Sequence, residues 1–278
     1  MRINFLTCKI IQNKKKNRSG SLSQGAASFC VKTFIITCFS KTESISVAKI
    51  EKKLYLQFKI QNKLLYMCFH SKQSKDAQTL EKRYKAKLES PGLFKTGDVN
   101  GFDHPFCAII TNDRQEIIQF AQWGLLPTWA KDKSLQNSTL NAKIETINEK
   151  PSFKGSSSQR CLIPADGFYE WQWLDPKGKK KQKYLVHLPG EELFSFAGLW
   201  NCWKDNQTDQ TYHTYTILTT EANALMSVVH NSKKRMPVII NPKAEKEWLE
   251  NGKLEMFNDF LEADPLKSAS EQMSLWDE

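Results

Sequence analysis

Four residues that can do chemistry stand in well-separated segments of the sequence: a thiol, an amide, a carboxylate and an imidazole, at Cys68, Asn141, Glu170 and His230. They are separated by 73, 29 and 60 residues, so they can meet only in the folded chain. A thiol is a nucleophile, an imidazole is an acid–base group, and a carboxylate or amide can orient them or exchange their protons. Together these types predict a catalytic site built on Cys68.

Each residue also has an ordinary structural interpretation. Cys68 directly follows Met67 and fits a small buried hydrophobe. Asn141 fits a polar loop that enters a helix, and Glu170 fits a solvent-facing position on a strand. His230 fits a helix end, where basic side chains complement the helix dipole. Only their combination in one chain favours the catalytic interpretation.

Charge is unevenly divided along the 278 residues. Residues 1–66 carry 13 lysines and arginines against two glutamates, a net charge of +11, whereas residues 67–278 carry a net charge of −1. The overall charge of +10 therefore belongs to the N-terminal segment. Any nucleic-acid surface on the rest of the chain has to be local.

Composition excludes several classes of protein. The longest mainly apolar stretch, near Phe34–Phe39, is far shorter than the ~20 residues of a membrane-spanning helix. The seven cysteines are odd in number and include no CxxC pair, so neither a zinc site nor a disulfide framework is expected. We therefore predict a cytoplasmic protein that does not associate with membranes and needs no metal or cofactor.

The elements that must position these residues predict an α+β fold built on mainly antiparallel sheet. Phe106–Thr111 and Glu116–Trp123 have the pattern of a hairpin around Asn112-Asp113. Helices are predicted over Gln73–Leu88, over Glu221–Val229 after the cap Thr220, and from Asn241-Pro242 to Gly252. Further strands are predicted over Gln159–Ile163, Phe168–Leu174, Lys183–Leu188, Leu193–Trp200, Tyr212–Thr219 and Met236–Ile240. Many short strands with few helices favour this class.

Four segments resemble, in order, the motifs of the SRAP family, the SOS response-associated peptidases or abasic-site processing proteins. Trp123–Trp129 resembles the W-G-L-x-P-x-W run, Asn141–Thr146 the N-A-R-x-E-T segment, Arg160–Trp171 the central signature, and His230 with Arg235–Pro237 the H-x-R-M-P segment. The resemblance implies a barrel-like core with flanking helices. It also implies a catalytic domain over residues 67–255, with residues 256–278 as a C-terminal tail.

The resemblance further implies an activity on single-stranded DNA that contains abasic sites, carried out by a monomer. The family's cysteine follows the initiator methionine and becomes the N-terminal residue. Its amine and thiol then form a thiazolidine crosslink with the aldehyde of the abasic sugar, with lyase activity as a side path. In this chain the crosslinking residue would be Cys68. The peptidase name fits removal of the residue that precedes it.

Roles for the other residues follow from the same resemblance. Glu170 would exchange a proton with the α-amine, His230 would act as acid–base in ring opening and crosslink reversal, and Asn141 would orient the amine and the sugar. The implied DNA contacts are those of Lys143 and Arg235 with phosphates, with Trp123 stacking or wedging beside the lesion. This sequence departs from the family at Phe69, His70 and Lys143, where glycine, arginine and arginine are usual, and in a longer loop from His230 to Arg235.

Residues 1–66 conflict with this chemistry, because they give Cys68 an amide in place of an α-amine. We interpret them as a basic extension that is either disordered or the product of a start assigned upstream of Met67. A start at Met67 is preferred, self-cleavage of the Met67–Cys68 bond comes second, and an inactive chain third. Two other functions stay open: a cysteine peptidase acting on proteins, and a non-catalytic module that binds single-stranded DNA.

Overall fold

The computed structural model describes residues 69–267. The strands in this range are β1 (His70–Gln73), β2 (Lys87–Leu88), β3 (Gly97–Asn100), β4 (Phe106–Thr111), β5 (Arg114–Trp123), β6 (Asn141–Lys143), β7 (Arg160–Ala165), β8 (Gly167–Trp173), β9 (Lys181–His187), β10 (Phe194–Lys204), β11 (Thr211–Glu221), β12 (Arg235–Pro237), β13 (Ile239–Ile240) and β14 (Glu262–Pro265). The α-helices are α1 (Ala77–Tyr84), α2 (Pro151–Lys154), α3 (Ala224–Val229) and α4 (Glu245–Asn251).

Five strands close into a barrel in the order β4, β5, β11, β10 and β7, and β7 pairs back with β4. Within this ring β5 and β11 are parallel, with Gln122 opposite Thr214 and Trp123 opposite Tyr215. The other neighbours in the ring are antiparallel. The β4–β5 hairpin turns at Asn112-Asp113, as its alternating pattern and turn residues predict. The barrel-like core is therefore confirmed.

A second sheet, antiparallel throughout, has the strand order β14, β9, β8, β1 and β3. Its apolar face shares one hydrophobic core with the barrel. Phe168 of β8, for example, meets Phe196 of β10 edge-on with the ring centres 5.8 Å apart. Two antiparallel or mixed sheets with a few short helices confirm the predicted α+β class.

Helix α1 is shorter than the predicted Gln73–Leu88. Its cap is Asp76, whose side chain accepts a hydrogen bond from the backbone N–H of Thr79 at 2.8 Å. Gln73 belongs to β1 and Leu88 to β2, because both residues pair with strands remote in the sequence. Helical periodicity alone does not detect such pairings.

The predicted starts of the later helices shift by a few residues. The cap of α3 is Asn223, whose side chain accepts from the N–H of Met226 at 2.9 Å. The predicted cap, Thr220, is instead the penultimate residue of β11. Pro242 opens a short 3-10 turn before α4, and Gly252 ends α4 in the left-handed conformation with φ of 71°. The glycine stop was therefore predicted correctly.

Two short polar strands were not predicted from the sequence. Asn141–Lys143, which fits a polar loop by sequence, forms β6 and pairs in parallel with β11. Glu262–Pro265, within the segment interpreted as a C-terminal tail, forms β14 and pairs with β9. Both strands are formed by partners far away in the sequence, so local periodicity does not reveal them.

The extension over residues 1–66, together with Met67 and Cys68, lies outside the described residues. Residues 268–278 also lie outside them. Among residues 69–267, no helix is long and apolar enough to cross a membrane.

Candidate functional site

Glu170 and His230 lie together where β8 meets the end of α3. Glu170 stands in the middle of β8, and His230 directly follows α3, which packs against β8. Oε1 of Glu170 is 3.9 Å from Nδ1 of His230. The two residues are only 4% and 2% exposed, so water screens their interaction weakly. This pair can hold a proton or pass it to a third group.

His230 has a fixed orientation. Its Nδ1 donates a hydrogen bond to the backbone carbonyl of Arg235 at 2.7 Å. Because a carbonyl oxygen can only accept, Nδ1 carries the hydrogen. Nε2 is then the ring nitrogen that exchanges protons with a bound molecule.

A cavity of about 240 Å³ opens beside this pair. Its lining comprises Phe69, His70, Asn100, Phe102, Glu170, Trp171, Trp173, Lys181, His230 and Ser232. Aromatic walls surround a few polar groups, which is the usual composition of a small-ligand site. The cavity can accept a group the size of a sugar ring or an aromatic ring next to the carboxylate and the imidazole.

His70 gives the cavity an uncharged wall. Its ring meets the edge of Trp171 with the ring centres 4.9 Å apart. Burial, with help from the positive charge of Lys183, lowers the pKa of His70, so the ring is neutral at neutral pH. Its buried Nδ1 has no hydrogen-bond partner within residues 69–267. A bound molecule with a matching polar atom would satisfy it.

The first described residue, Phe69, ties the chain to this cavity. Its carbonyl oxygen accepts a hydrogen bond from the N–H of Gly101 at 2.7 Å, and its ring lies 4.6 Å from that of Phe102. Phe69 itself lines the cavity. Cys68, the predicted nucleophile, is one peptide bond away and lies outside the described residues.

The described cysteines offer no alternative nucleophile in the core. Burial raises the pKa of Cys107 to about 11 and that of Cys161 well above its ordinary value. Neither thiol forms appreciable thiolate at neutral pH. Cys202 is exposed on β10 and is not part of the cavity lining. Among residues 69–267, no group of three or more histidine, cysteine or acidic side chains could hold a metal ion.

Asn141 and Lys143 stand at the two ends of β6. Asn141 is buried opposite Ile217 of β11, whereas Lys143 is exposed opposite Thr219. Asn141 is not among the side chains that line the cavity of Glu170 and His230. The exposed ammonium of Lys143 is accessible to a ligand approaching from solvent.

Trp123 does not match the predicted contact with DNA. It is 1% exposed, its indole N–H donates to the carbonyl of Leu140 at 2.8 Å, and its ring stacks on Tyr215. No face of the ring is open to a base, so Trp123 stabilises the core. The exposed tryptophan of the same motif is Trp129, with 56% of its surface accessible.

Arg235 does not match the predicted phosphate contact either. Its guanidinium donates two hydrogen bonds to the carboxylate of Glu145, both at 2.9 Å, and a third to the carbonyl of Thr219 at 2.7 Å. The residue is 8% exposed. A bidentate pair of this kind occupies the planar face that would bind a phosphate. Arg235 therefore joins β12 to the chain after β6.

The sequence analysis missed two aromatic residues that face ligand-accessible space. Trp171 lines the cavity next to Glu170, and Trp129 borders a separate cavity of about 290 Å³ beside α2. Both lie within the motifs already noted. Alternation along β8 could not have identified Trp171, because it assigns the neighbouring residues Glu170 and Trp171 to opposite faces of the strand.

Similar proteins were found by sequence. A family model described as SOS response associated peptidase (SRAP) matches residues 67–276. The abasic site processing protein YoqW of Bacillus subtilis (strain 168) is 48% identical over 129 residues, 46% of this chain and 55% of that protein. The abasic site processing protein HMCES of Gallus gallus is 31% identical over 160 residues, 49% of this chain and 46% of that protein. The chain thus spans about half the length of the curated relatives it matches.

Solved structures share the fold. A protein from Bacteroides thetaiotaomicron is similar with a TM-score of 0.66 and 29% identity, over 74% of this chain and 94% of that one. A protein from Bordetella bronchiseptica has a TM-score of 0.61 and 24% identity, over 72% of this chain and 100% of that one. Because the family model spans well over half of the chain, including the cavity of Glu170 and His230, this protein belongs to the SOS response associated peptidase (SRAP) family.

Proposed function

We propose that the protein processes abasic sites in single-stranded DNA by linking itself covalently to them through Cys68. The observation that carries the proposal is the buried pair of Glu170 and His230, 3.9 Å apart, in a cavity lined by Phe69, the residue next to Cys68. The name of the relatives, abasic site processing protein, supports the choice of substrate.

The proposed chemistry needs an amine and a thiol on adjacent carbons. The α-amine of Cys68 adds to the aldehyde carbon of the ring-opened sugar, and the carbinolamine loses one water to give an imine. Sγ then adds to the same carbon, the thiol proton passes to nitrogen, and a five-membered thiazolidine closes. An internal cysteine cannot complete this ring, because its nitrogen is an amide.

The buried pair supplies the proton transfers. Glu170 takes a proton from the α-amine and returns it to the departing water. Nε2 of His230, held outward by the bond from Nδ1 to Arg235, serves ring opening of the sugar and reversal of the crosslink. Asn141 does not line this cavity, so the proposed proton transfers do not depend on it. Proton removal next to the imine also permits β-elimination, so strand cleavage accompanies the main reaction.

Contacts to the DNA strand are reassigned on the basis of exposure. Lys143 is exposed and binds a phosphate as a point charge. Trp129, in place of the buried Trp123, offers an aromatic face on which a base can stack. Arg235 keeps a structural role through Glu145. The protein acts as a monomer, with residues 67–255 as its catalytic domain.

The N-terminus of the active form is residue 68. A start at Met67 followed by removal of the methionine gives this terminus, since cysteine is small enough for ordinary methionine removal. Cleavage of the Met67–Cys68 bond by the protein itself would also give it, and would account for the peptidase name. A chain that keeps residues 1–66 cannot crosslink.

A denaturing gel tests the proposal. The 278-residue protein and a protein that starts at Met67 are each mixed with single-stranded DNA that carries one abasic site. We expect a slow-migrating covalent band from the shorter protein and none from its Cys68→Ser variant. Mass spectrometry of any band from the longer protein should show loss of residues 1–67. No band from either protein would refute the crosslinking proposal.

Two controls distinguish the proposed crosslinking function from the two alternative functions. A cysteine peptidase that acts on proteins would keep its activity when the α-amine is blocked and the thiol is left free. A module that only binds DNA would bind equally well after Cys68→Ser and would form no adduct that survives denaturation. The crosslinking protein loses its adduct under both treatments.

A further inference from the structure

The turn between β8 and β9 concentrates positive charge. Residues 175–183, here called the lysine hairpin, contain five lysines and one aspartate, a net charge of +4. Lys177, Lys179 and Lys180 at its tip are exposed. Residues 67–278 as a whole carry a net charge of −1, so this hairpin is a local basic feature on a nearly neutral domain.

Asp175, the one acidic residue of the lysine hairpin, stabilises the turn. Asp175 accepts hydrogen bonds from the backbone N–H groups of Lys177 and Lys180, and these bonds lower the pKa of its carboxyl. Within residues 69–267, no ion pair joins the side chains of Lys177, Lys179 or Lys180 to an acid. Elsewhere lysines are paired, as Lys72 is with Glu191. The charge at the tip is therefore available to a partner.

The turn is held in a defined position. Gly178 has φ of 63°, and a Cβ atom there would lie 2.6 Å from the ring of Trp173. Leu174 N–H also donates to the carbonyl of Lys180 at 2.9 Å. The turn is thus packed down on Trp173, and a larger residue at position 178 does not fit.

Trp173 connects the lysine hairpin to the candidate active site. Its backbone N–H and carbonyl both bond the side chain of Asn231, each at 2.9 Å, and Asn231 is the residue after His230. Trp173 and Lys181 also line the cavity that contains Glu170. A second cavity, of about 370 Å³, lies between Trp173 and the loop of Asn231.

The face that leads from the tip to the cavity alternates cations with aromatic rings. Nζ of Lys183 lies 3.9 Å from the ring centre of Tyr169 and 5.7 Å from that of Trp171. Nζ of Lys181 lies 5.8 Å from the ring centre of Trp173. Proteins that hold single-stranded nucleic acids combine these same two elements, basic side chains for phosphates and aromatic faces for bases.

We propose that the lysine hairpin binds the sugar–phosphate backbone of the single strand that flanks the lesion. Lys177, Lys179 and Lys180 each neutralise one phosphate, and the strand passes along the cation–aromatic face into the cavity. This inference rests on the proposed function, because it assumes that the cavity receives the abasic sugar. The lysine hairpin contributes salt-dependent affinity for DNA, whereas Glu170 and His230 carry out the chemistry.

The test compares two triple variants of the full chain that remove the same charge. One carries Lys177→Gln, Lys179→Gln and Lys180→Gln. The matched control carries Lys243→Gln, Lys246→Gln and Lys253→Gln at exposed positions on and around α4. Noncovalent binding is measured by fluorescence anisotropy at several salt concentrations, with single-stranded DNA that contains a tetrahydrofuran abasic analogue, which has no aldehyde. Circular dichroism melting checks that both variants are folded.

We expect the hairpin variant to lower the slope of log K against log salt by about 2, since each phosphate contact contributes about 0.7 for a single strand. The control variant should match the parent, and residues 1–66 contribute equally to all three proteins. An unchanged slope in the hairpin variant, or an equal change in both variants, would overturn the inference.

A parallel crosslinking assay with a true abasic site, run on forms of the parent and of the hairpin variant that start at Met67, keeps the two proposals apart. If the parent forms the covalent band and the hairpin variant has an unchanged salt slope, only the hairpin inference fails. If the parent forms no band, the proposed function fails. The slope comparison then still decides whether the hairpin binds DNA. At saturating DNA the hairpin variant should reach the crosslink yield of the parent.

Discussion

His230 donates a hydrogen bond from Nδ1 to the backbone carbonyl of Arg235 at 2.7 Å, five residues further along the chain. The side chain of Arg235 is in turn fixed by Glu145 and by the carbonyl of Thr219. The backbone carbonyl that orients the imidazole of His230 therefore belongs to Arg235, a residue whose side chain is itself held in place by hydrogen bonds. Glu145 acts on His230 from a distance, through Arg235.

Glu145→Gln should slow crosslinking without weakening DNA binding. The loss of the bidentate carboxylate loosens β12 and the carbonyl that orients His230. A shift of about 1 Å in a catalytic group can cost up to about 100-fold in rate, so we expect a reduction of about tenfold or more. Glu149→Gln, at an exposed position on the same segment, is the control. Partial recovery in Glu145→Asp would support positioning, and equal rates in all variants would contradict it.

The ion pair itself should persist through the neutral range. Hydrogen bonding to Arg235 lowers the pKa of Glu145. Its stabilising contribution is therefore complete above the ordinary glutamate pKa of about 4.3 and is lost as the pH falls through the lowered folded value. The rate difference between the parent and Glu145→Gln should accordingly be the same at all pH values above about 5. A difference that disappears between neutral pH and this limit would count against the ion pair as its cause.

Glu170→Gln tests the proton-transfer role directly. The amide keeps the shape of the carboxylate but cannot accept a proton, so crosslink formation should fall by about 100- to 10,000-fold. Anisotropy with the tetrahydrofuran analogue should show unchanged affinity. A variant that crosslinks at the parental rate would remove Glu170 from the mechanism. Glu192→Gln, at an exposed position outside the cavity lining, serves as the control.

The two tryptophans of one motif should respond in opposite ways. Trp123→Ala removes a buried ring and should cost about 3–5 kcal/mol of unfolding free energy. Trp129→Ala should leave the melting temperature unchanged and weaken binding of single-stranded DNA by about 1–3 kcal/mol. Chemical denaturation and anisotropy measure the two effects. Normal DNA binding by Trp129→Ala would exclude the proposed base stacking there.

The stability of the pairing between β14 and β9 should depend on pH through His187 of β9. Burial opposes the charged form of this imidazole, but hydrogen bonds to the carbonyl of Leu188 and to Asp264 of β14 outweigh it and raise the pKa. The resulting stabilisation is complete below the unfolded pKa of about 6.5 and is lost as the pH rises through the folded value.

Thermal melting at about pH 6 and about pH 8 checks this dependence. Asp264→Asn should lower the melting temperature at the lower pH and have a smaller effect at the higher one. Because the Asp264 side chain is largely exposed, the effect should be about 1 kcal/mol or less. Glu262→Gln on the same strand is the control. An equal loss at both pH values would mean that the charge of His187 is not responsible.

Local sequence patterns explain which features could be predicted, and burial explains which could not. The β4–β5 hairpin and the stop at Gly252 follow from turn residues and alternation within a few positions. The family resemblance implied DNA contacts for Trp123 and Arg235, and both residues are buried in the structure. Whether a side chain faces solvent depends on partners such as Tyr215 and Glu145, which no local pattern supplies.

The short distance between Glu170 and His230 is another feature that the sequence alone could not predict. Motif resemblance suggested that both residues serve one site, but their 3.9 Å separation arises from the packing of α3 against β8. The reassignment from Trp123 to Trp129 also required the fold. The motif contains both tryptophans, and only the end of β5 at Trp123 decides which of them enters the core.

The parallel pairing of β5 with β11 sets an order of events on the ribosome. Trp123 ends β5, and the strand that closes the barrel beside it is not complete until Glu221 has been added. At about 5–20 residues per second, the nascent chain spends about 5–20 seconds with the Gln122–Trp123 end of that edge unpaired, since β2 covers only Ile117 and Ile118. A message truncated before codon 211 would yield a product with a permanently open barrel edge, prone to pair with other chains.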